Sequence, residues 1–395
     1  MLKKANAKKA GQRAGAKTST GRRRFLKTAA LTAGAAATTG LIDGFPLVWS
    51  QNIKDVKLMQ VGGSYSAIKD IADQATKDLG FKVEMQTADH SALLNRLVTQ
   101  PQTIDIADIE YFFQHHLIKR GTLQPMAVEK IKLWDKVVPI FTKGTYPDGR
   151  KVSSQGVLPY EVQYVSGPGA KEFAKSPTNW ITGIPTVYNA DTLGIRPDLV
   201  KRKIESWSEL LNPEWKGKWA ASPSGADFQA IVSALLELKG EAATEAWLKG
   251  MKENSKPYKG NSTAMKAVNA GEVDSALIYH YYYYGDQAKT GENSNNVTPF
   301  YFKNQDPGAF VSISGGGVLK SSKNAAAAQS FLKFITGKKG QEVLQKGTSF
   351  EYAVGSDVPS NDKLVPLKEL QAPTVDPAKL NSAKVTELMT QAGLL

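Results

Sequence analysis

The chain of 395 residues contains no cysteine. That absence removes disulfides, thiolate zinc sites, iron–sulfur clusters and thiol nucleophiles together, and leaves stability to core burial. No N-terminal lipoprotein anchor is expected either, since that anchor is built on a cysteine. Histidine is scarce, at four residues, and there is no H-E-x-x-H, no G-x-S-x-G elbow and no P-loop. Choosing a general base among so few histidines would be arbitrary, so an enzyme is not expected. Beyond the first 50 residues no stretch approaches about 18 consecutive apolar residues, so the mature chain should carry no membrane-spanning helix.

The formal net charge is +13, but it is unevenly placed. Residues 1–50 hold ten basic side chains against one acidic, Asp43, so nine of the thirteen excess charges sit there and the remainder carries +4. A body so near neutrality offers little to a polyanion, and no nucleic acid partner is expected. The basic head runs into an apolar, small-residue stretch from Thr28 to about Ile42, too short to span a bilayer. This is the order of a signal peptide, with cleavage expected near Trp49 to Gln51. Within it, Arg22-Arg23-Arg24-Phe25-Leu26-Lys27 resembles the twin-arginine export motif, with Gly21 where Ser or Thr is commoner. That address predicts export of an already folded protein to the periplasm.

The rest, with 41% hydrophobic and 22% charged residues over the whole chain, is enough for two or three lobes. Strand-like runs alternate with amphipathic ones. Asp55 to Val61, Phe81 to Gln86 and Ile104 to Ile109 read as strands, with helices at Ser66 to Leu79 and Ser91 to Gln100. This βαβαβ opening implies a parallel sheet with its loops on one edge. Further on, Gly183 to Tyr188 and Phe310 to Ser314 read as strands. Helices are expected at Asp227 to Leu238, Glu241 to Lys252, Ser262 to Ala270 and Asn324 to Thr336, and Ser275 to Tyr284 is a strongly β-prone run.

Seven segments in order carry a resemblance: Thr186-Val187-Tyr188-Asn189, Asn212-Pro213-Glu214-Trp215-Lys216-Gly217-Lys218, Ser222-Pro223-Ser224-Gly225-Ala226, Asn261-Ser262, His280-Tyr281-Tyr282, Gln305-Asp306-Pro307-Gly308-Ala309 and Val318 to Asn324. Together they resemble the ferric-iron-binding group of the periplasmic substrate-binding proteins of ABC importers. The resemblance implies an α/β, two-lobed type II periplasmic-binding-protein fold. Each lobe is then a mixed sheet flanked by helices, and two crossover strands join them. Residues 51–185 with 312–362 would form the first lobe, and residues 186–311 with 363–395, including the C-terminal helices, the second. The implied molecule is a monomer that delivers its solute to an inner-membrane permease.

Tyr281 to Tyr284 is the most chemically pointed run. Ferric iron is a hard cation that favours oxygen donors and lowers the proton affinity of a bound phenol far below its free value of about 10. The resemblance places the family's tyrosine ligands on Tyr281 and Tyr282. Adjacent residues face apart on a regular strand or helix, so the pair is expected at an irregular strand end. Four tyrosines could also simply pack a cleft wall. The resemblance further assigns a small anion, such as carbonate, phosphate or citrate, to Ser224, Gly225, Ala226 and Asn261, with no organic cofactor. Backbone amides at a helix start suit that role, although N-capping by Ser224 would use the same residues. From the first lobe, Glu110 falls at the family's carboxylate position, and Tyr65, at the first strand-to-helix turn, is a second candidate by place. Tyr279 departs from the family's asparagine. The segment Tyr111 to His116 looks more like polyamine binders, so an organic cation held by aromatic rings is the alternative ligand. His115 and His116 could ligate metal, but adjacent histidines point apart on a helix, so a surface or lobe-interface role is expected, and the His280 side chain is expected to point away from the tyrosine ligands.

Overall fold

The computed structural model describes residues 55–61, 68–88, 90–110, 126–127, 180–181, 184–201, 203–353, 358–375 and 380–395. All belong to the unit Ser50–Leu395. Tyr65, His115, His116 and the export signal lie outside them.

The opening alternation forms as its periodicity requires. Strand β1 (Val56–Val61) pairs in parallel with β2 (Val83–Ala88) and with β3 (Ile106–Glu110). Helix α1 (Ile68–Leu79) leads from β1 to β2, and α2 (His90–Thr99) from β2 towards β3. In α1, Ile71, Ala72 and Ala75 make one buried stripe, while Lys69 and Asp73 pair on the exposed side at 2.6 Å. A short antiparallel pair, β4 (Met126–Ala127) with β5 (Trp180–Ile181), stands apart from the main sheet.

Strand β6 (Ile184–Ile195) is twelve residues long, far beyond the expected Gly183 to Tyr188, and continues through Asn189, Ala190, Asp191 and Thr192, all buried. Polar residues in that order look like a turn; they stay extended because strands flank β6 along its length. Its first part pairs antiparallel with β11 (Val311–Val318), and its second part with β9 (Ser275–Tyr279) and β10 (Thr298–Phe300). Strand β7 (Trp219–Ala221) runs parallel to β9 and to β8 (Ser255–Pro257). The order is therefore β2-β1-β3-β11-β6-β9-β7-β8, with β10 beside β6. Strands β6 and β11 pass through the middle of it. β11 also pairs with β3, and β6 with β9, so these two link the halves of the sheet.

Over the second half lie α3 (Ala226–Lys239), α4 (Glu241–Asn254) and α5 (Asn261–Ala270). Trp247 of α4 stacks on Trp207 with ring centroids 4.3 Å apart, and Trp219 and Phe228 tilt against it at 6.3 and 6.1 Å. Such a cluster supplies much of the apolar burial of this half. Helix α5 stops at Gly271, whose φ of +79° is costly for any residue with a side chain. Helix α6 (His280–Gln287) follows β9 directly. The expected strand Ser275 to Tyr284 thus ends at Tyr279. Burial of His280, with ring nitrogens on the backbone of Ala190 and Phe350, outweighs the β-propensity of the tyrosines.

Helices α7 (Ala325–Ile335) and α8 (Lys338–Lys346) pack on α1, and after the short α9 (Leu367–Leu370) helix α10 (Ser382–Gln391) packs on α3 and α4. Buried Asp105, just before β3, ties these parts of the chain together. It accepts from the Lys57 amide at 2.9 Å, from the Ser322 hydroxyl at 2.6 Å and from the Asn324 amide group at 3.3 Å. No helix among the described residues is long and apolar enough to cross a membrane.

Candidate metal centre

Three helices begin at one place. Asp227 stands in the first turn of α3, Asn261 is the first residue of α5, and Tyr281 and Tyr282 are in the first turn of α6. The Tyr281 hydroxyl donates to Asp227 Oδ2 at 3.4 Å, and the Asn261 side-chain amide donates to the same oxygen. Tyr282 also hydrogen-bonds within this group, with Asp227, Tyr281 and Asn261. The two phenol rings stack with centroids 4.5 Å apart and planes 30° from parallel. Helix starts present unpaired amides and the positive end of the dipole, so their convergence favours negative oxygen there.

The adjacency of the two tyrosines, which pointed to an irregular strand end, is resolved differently. Side chains in a helix lean back towards its N-terminus. In the first turn, two long phenols can therefore meet beyond the helix end although their Cβ atoms point apart. The other two tyrosines diverge: Tyr284 turns to Phe350 at 5.8 Å, and Tyr283 packs beside the cluster of Ala264, Met265 and Val268. Both a site and a packed wall are thus present in one run.

Protons dominate the electrostatics. Burial, reinforced by the charge of Asp227, pushes the Tyr281 phenol well above its usual range, and the same two causes raise Tyr282. Burial also raises the Asp227 carboxyl, to about 6, against the lowering effect of hydrogen bonds from Tyr282, Tyr281 and Asn261. At neutral pH the site therefore holds two protonated phenols around a mostly ionised carboxylate. Nearby Asp191, opposite Tyr279 in the β6–β9 register, is raised well above the usual range by burial, with Asp306 and Asp227 adding to the shift.

The residues assigned to an anion fall around this cluster. Gly225, not Ser224, is the N-cap of α3, with no side-chain cap, and its own N–H donates to the Ser222 carbonyl at 3.0 Å. Ser224 is exposed and Ala226 buried. Asn261 joins the tyrosines directly. Glu110 ends β3, where its backbone pairs with Ser314 of β11, next to the linking strands. His280 is fully buried with its ring edge-on to Tyr281 at 5.9 Å, but its nitrogens are taken by backbone: Nε2 lies 2.7 Å from the Phe350 carbonyl, Nδ1 accepts from the Ala190 amide at 3.2 Å, and burial lowers its pKa to about 4. Among the described residues no group of three or more His, Asp or Glu side chains is disposed to hold a metal. The donors that do converge are phenols, one carboxylate and one amide. Asp227 is the member that sequence reasoning passed over, although it directly follows Ser224-Gly225-Ala226.

Comparison with known proteins identifies the family. The chain is 49% identical over 330 residues to the Fe(3+)-binding periplasmic protein of Serratia marcescens, covering 83% of this chain and 87% of that one. It is 34% identical over 229 residues to the major ferric iron-binding protein of Neisseria meningitidis serogroup B, covering 58% and 68% respectively. The crystal structure of iron-bound HitA from Pseudomonas aeruginosa superposes with a TM-score of 0.70 at 27% identity, over 86% of this chain and all of that one. The fold is accordingly the two-lobed type II periplasmic-binding-protein fold. The family described as bacterial extracellular solute-binding protein matches residues 167–381, and the chain belongs to that family.

Proposed function

We propose that this protein captures ferric iron in the periplasm and hands it to an ABC permease in the inner membrane, without catalysing a reaction. The observation that carries this is the meeting of Tyr281, Tyr282, Asp227 and Asn261 at three helix starts. Hard oxygen donors on a positive backbone end suit a trivalent cation once the phenols lose their protons. Relatives named for ferric iron support this over an organic cation.

Tyr281 and Tyr282 act as the phenolate ligands. Glu110 and Tyr65 are the first-lobe donors, and an oxygen anion held near Ser224, Gly225, Ala226 and Asn261 completes the shell. Lobe one is residues 51–185 with 312–362, and lobe two residues 186–311 with 363–395. The halves close about β6 and β11, since few dihedrals need change where two strands cross. The twin-arginine signal delivers the folded monomer.

Ferric salt added to the mature protein should raise a visible tyrosinate-to-iron absorption band. Tyr281→Phe with Tyr282→Phe should abolish it. Retention of the band in the double variant would refute the assignment.

A further inference from the structure

Resting on the ferric reading above, we infer that Asp227 is itself the anion of this site. Its carboxylate fills the seat that an exogenous carbonate, phosphate or citrate would otherwise take, and ligates the iron beside Tyr281 and Tyr282.

Four observations lead there. Asp227 lies in the first turn of α3, one residue past the segment Ser224 to Ala226 that should cradle an anion. The Asn261 amide, the side-chain donor expected to hold that anion, already donates to Asp227 Oδ2. The Gly225 amide is likewise engaged, with the Ser222 carbonyl at 3.0 Å. The same Oδ2 stands 3.4 Å from the Tyr281 hydroxyl. In an octahedral shell with bonds of about 2.1 Å, neighbouring donors are about 3 Å apart, so a small adjustment brings these two oxygens into one shell.

Charge gives the same answer. Two phenolates and the Asp227 carboxylate already carry three negative charges, and the proposed Glu110 donor a fourth, so one ferric ion is neutralised without an anion from solution. A second anion pressed against Asp227 would meet a like charge in a partly dehydrated site, which is unfavourable. The specificity that follows is for the bare ferric ion rather than for a ferric–anion pair.

The test loads mature protein with ferrous chloride oxidised by carbon-dioxide-free air, in buffer lacking phosphate and carboxylates, and follows the visible band. Wild type should load fully, and added bicarbonate, phosphate or citrate should change affinity little. Asp227→Asn and Asp227→Ala, checked for folding by thermal melts of the empty forms, should lose more than about 100-fold in apparent affinity, beyond the range for a group that only orients ligands. Added bicarbonate or phosphate, occupying the vacated seat, should restore the band. If wild type needs an added anion as much as the variants do, or if the variants load without one, the inference fails while the ferric reading stands. If wild type shows no band even with every anion present, both fail.

Discussion

Loading the site should release protons in a countable number. In the empty protein Tyr281 and Tyr282 are phenols, and burial together with Asp227 holds both above the free value of about 10. Removing a proton at pH 7 from a group of pKa 10 costs about 4 kcal/mol, at 1.36 kcal/mol per unit, and that is a lower bound for each phenol here. Iron bound through both phenolates must displace two protons, so affinity for the aquo ion should rise about 100-fold per pH unit, or about 2.7 kcal/mol. Stopped-flow mixing in weak buffer with an indicator dye counts the protons, after correction for hydroxide bound to free iron. Competition with a chelator of known proton uptake gives the slope between pH 6.5 and 8. Tyr281→Phe should lower the count by one and the slope to about tenfold per unit. A count unchanged in the double phenylalanine variant would show that the phenols are not the ligands, and the reasoning would fall.

Stability should also respond to acid through His280. The folded protein keeps its ring neutral down to about pH 4, whereas the unfolded chain takes a proton below about 6.5. The unfolded state thus binds more protons in that window, and stability should fall as pH drops from 6.5 to 4, by up to about 3 kcal/mol. Urea melts of His280→Gln should lack that component. Asp306→Ala should cost about 2 kcal/mol in the same assay. Its carboxylate accepts from the Ser206 hydroxyl at 2.5 Å, the Gly308 amide at 2.8 Å and the Trp207 amide at 3.3 Å, tying two turns together.

How far these features could be read from the chain depends on what each segment answers to. The βαβαβ opening was legible because Ile71, Ala72 and Ala75 repeat at helical spacing between runs of alternating strand character. The tyrosine pair stood out because four phenols in succession are unusual. Where the strand before them ends was not legible, because tyrosines favour strands and the turn at His280 depends on partners 90 and 70 residues away, Ala190 and Phe350. The length of β6 was hidden in the same way, its Asn189 to Thr192 stretch being polar yet buried. Asp227 was missed for the opposite reason. An acidic residue in the first turn of a helix is the most ordinary complement to the dipole, and nothing local marks this one as facing phenols 54 residues later.

That ordinary position explains why one carboxylate can serve both the empty and the loaded states. Without metal, two enclosed hydroxyls and the Asn261 amide would lose their shared carboxylate acceptor if Asp227 were absent, and poorly satisfied buried donors are costly. Asp227 takes all three, which also stacks the rings and keeps their oxygens together before iron arrives. When the phenols lose their protons the same oxygens no longer donate to Asp227; they become charges that repel it, and only a cation between them removes the conflict. With the proposed ligands, the network that stabilises the empty site is therefore the one whose deprotonation calls for a hard, highly charged ion between its oxygens.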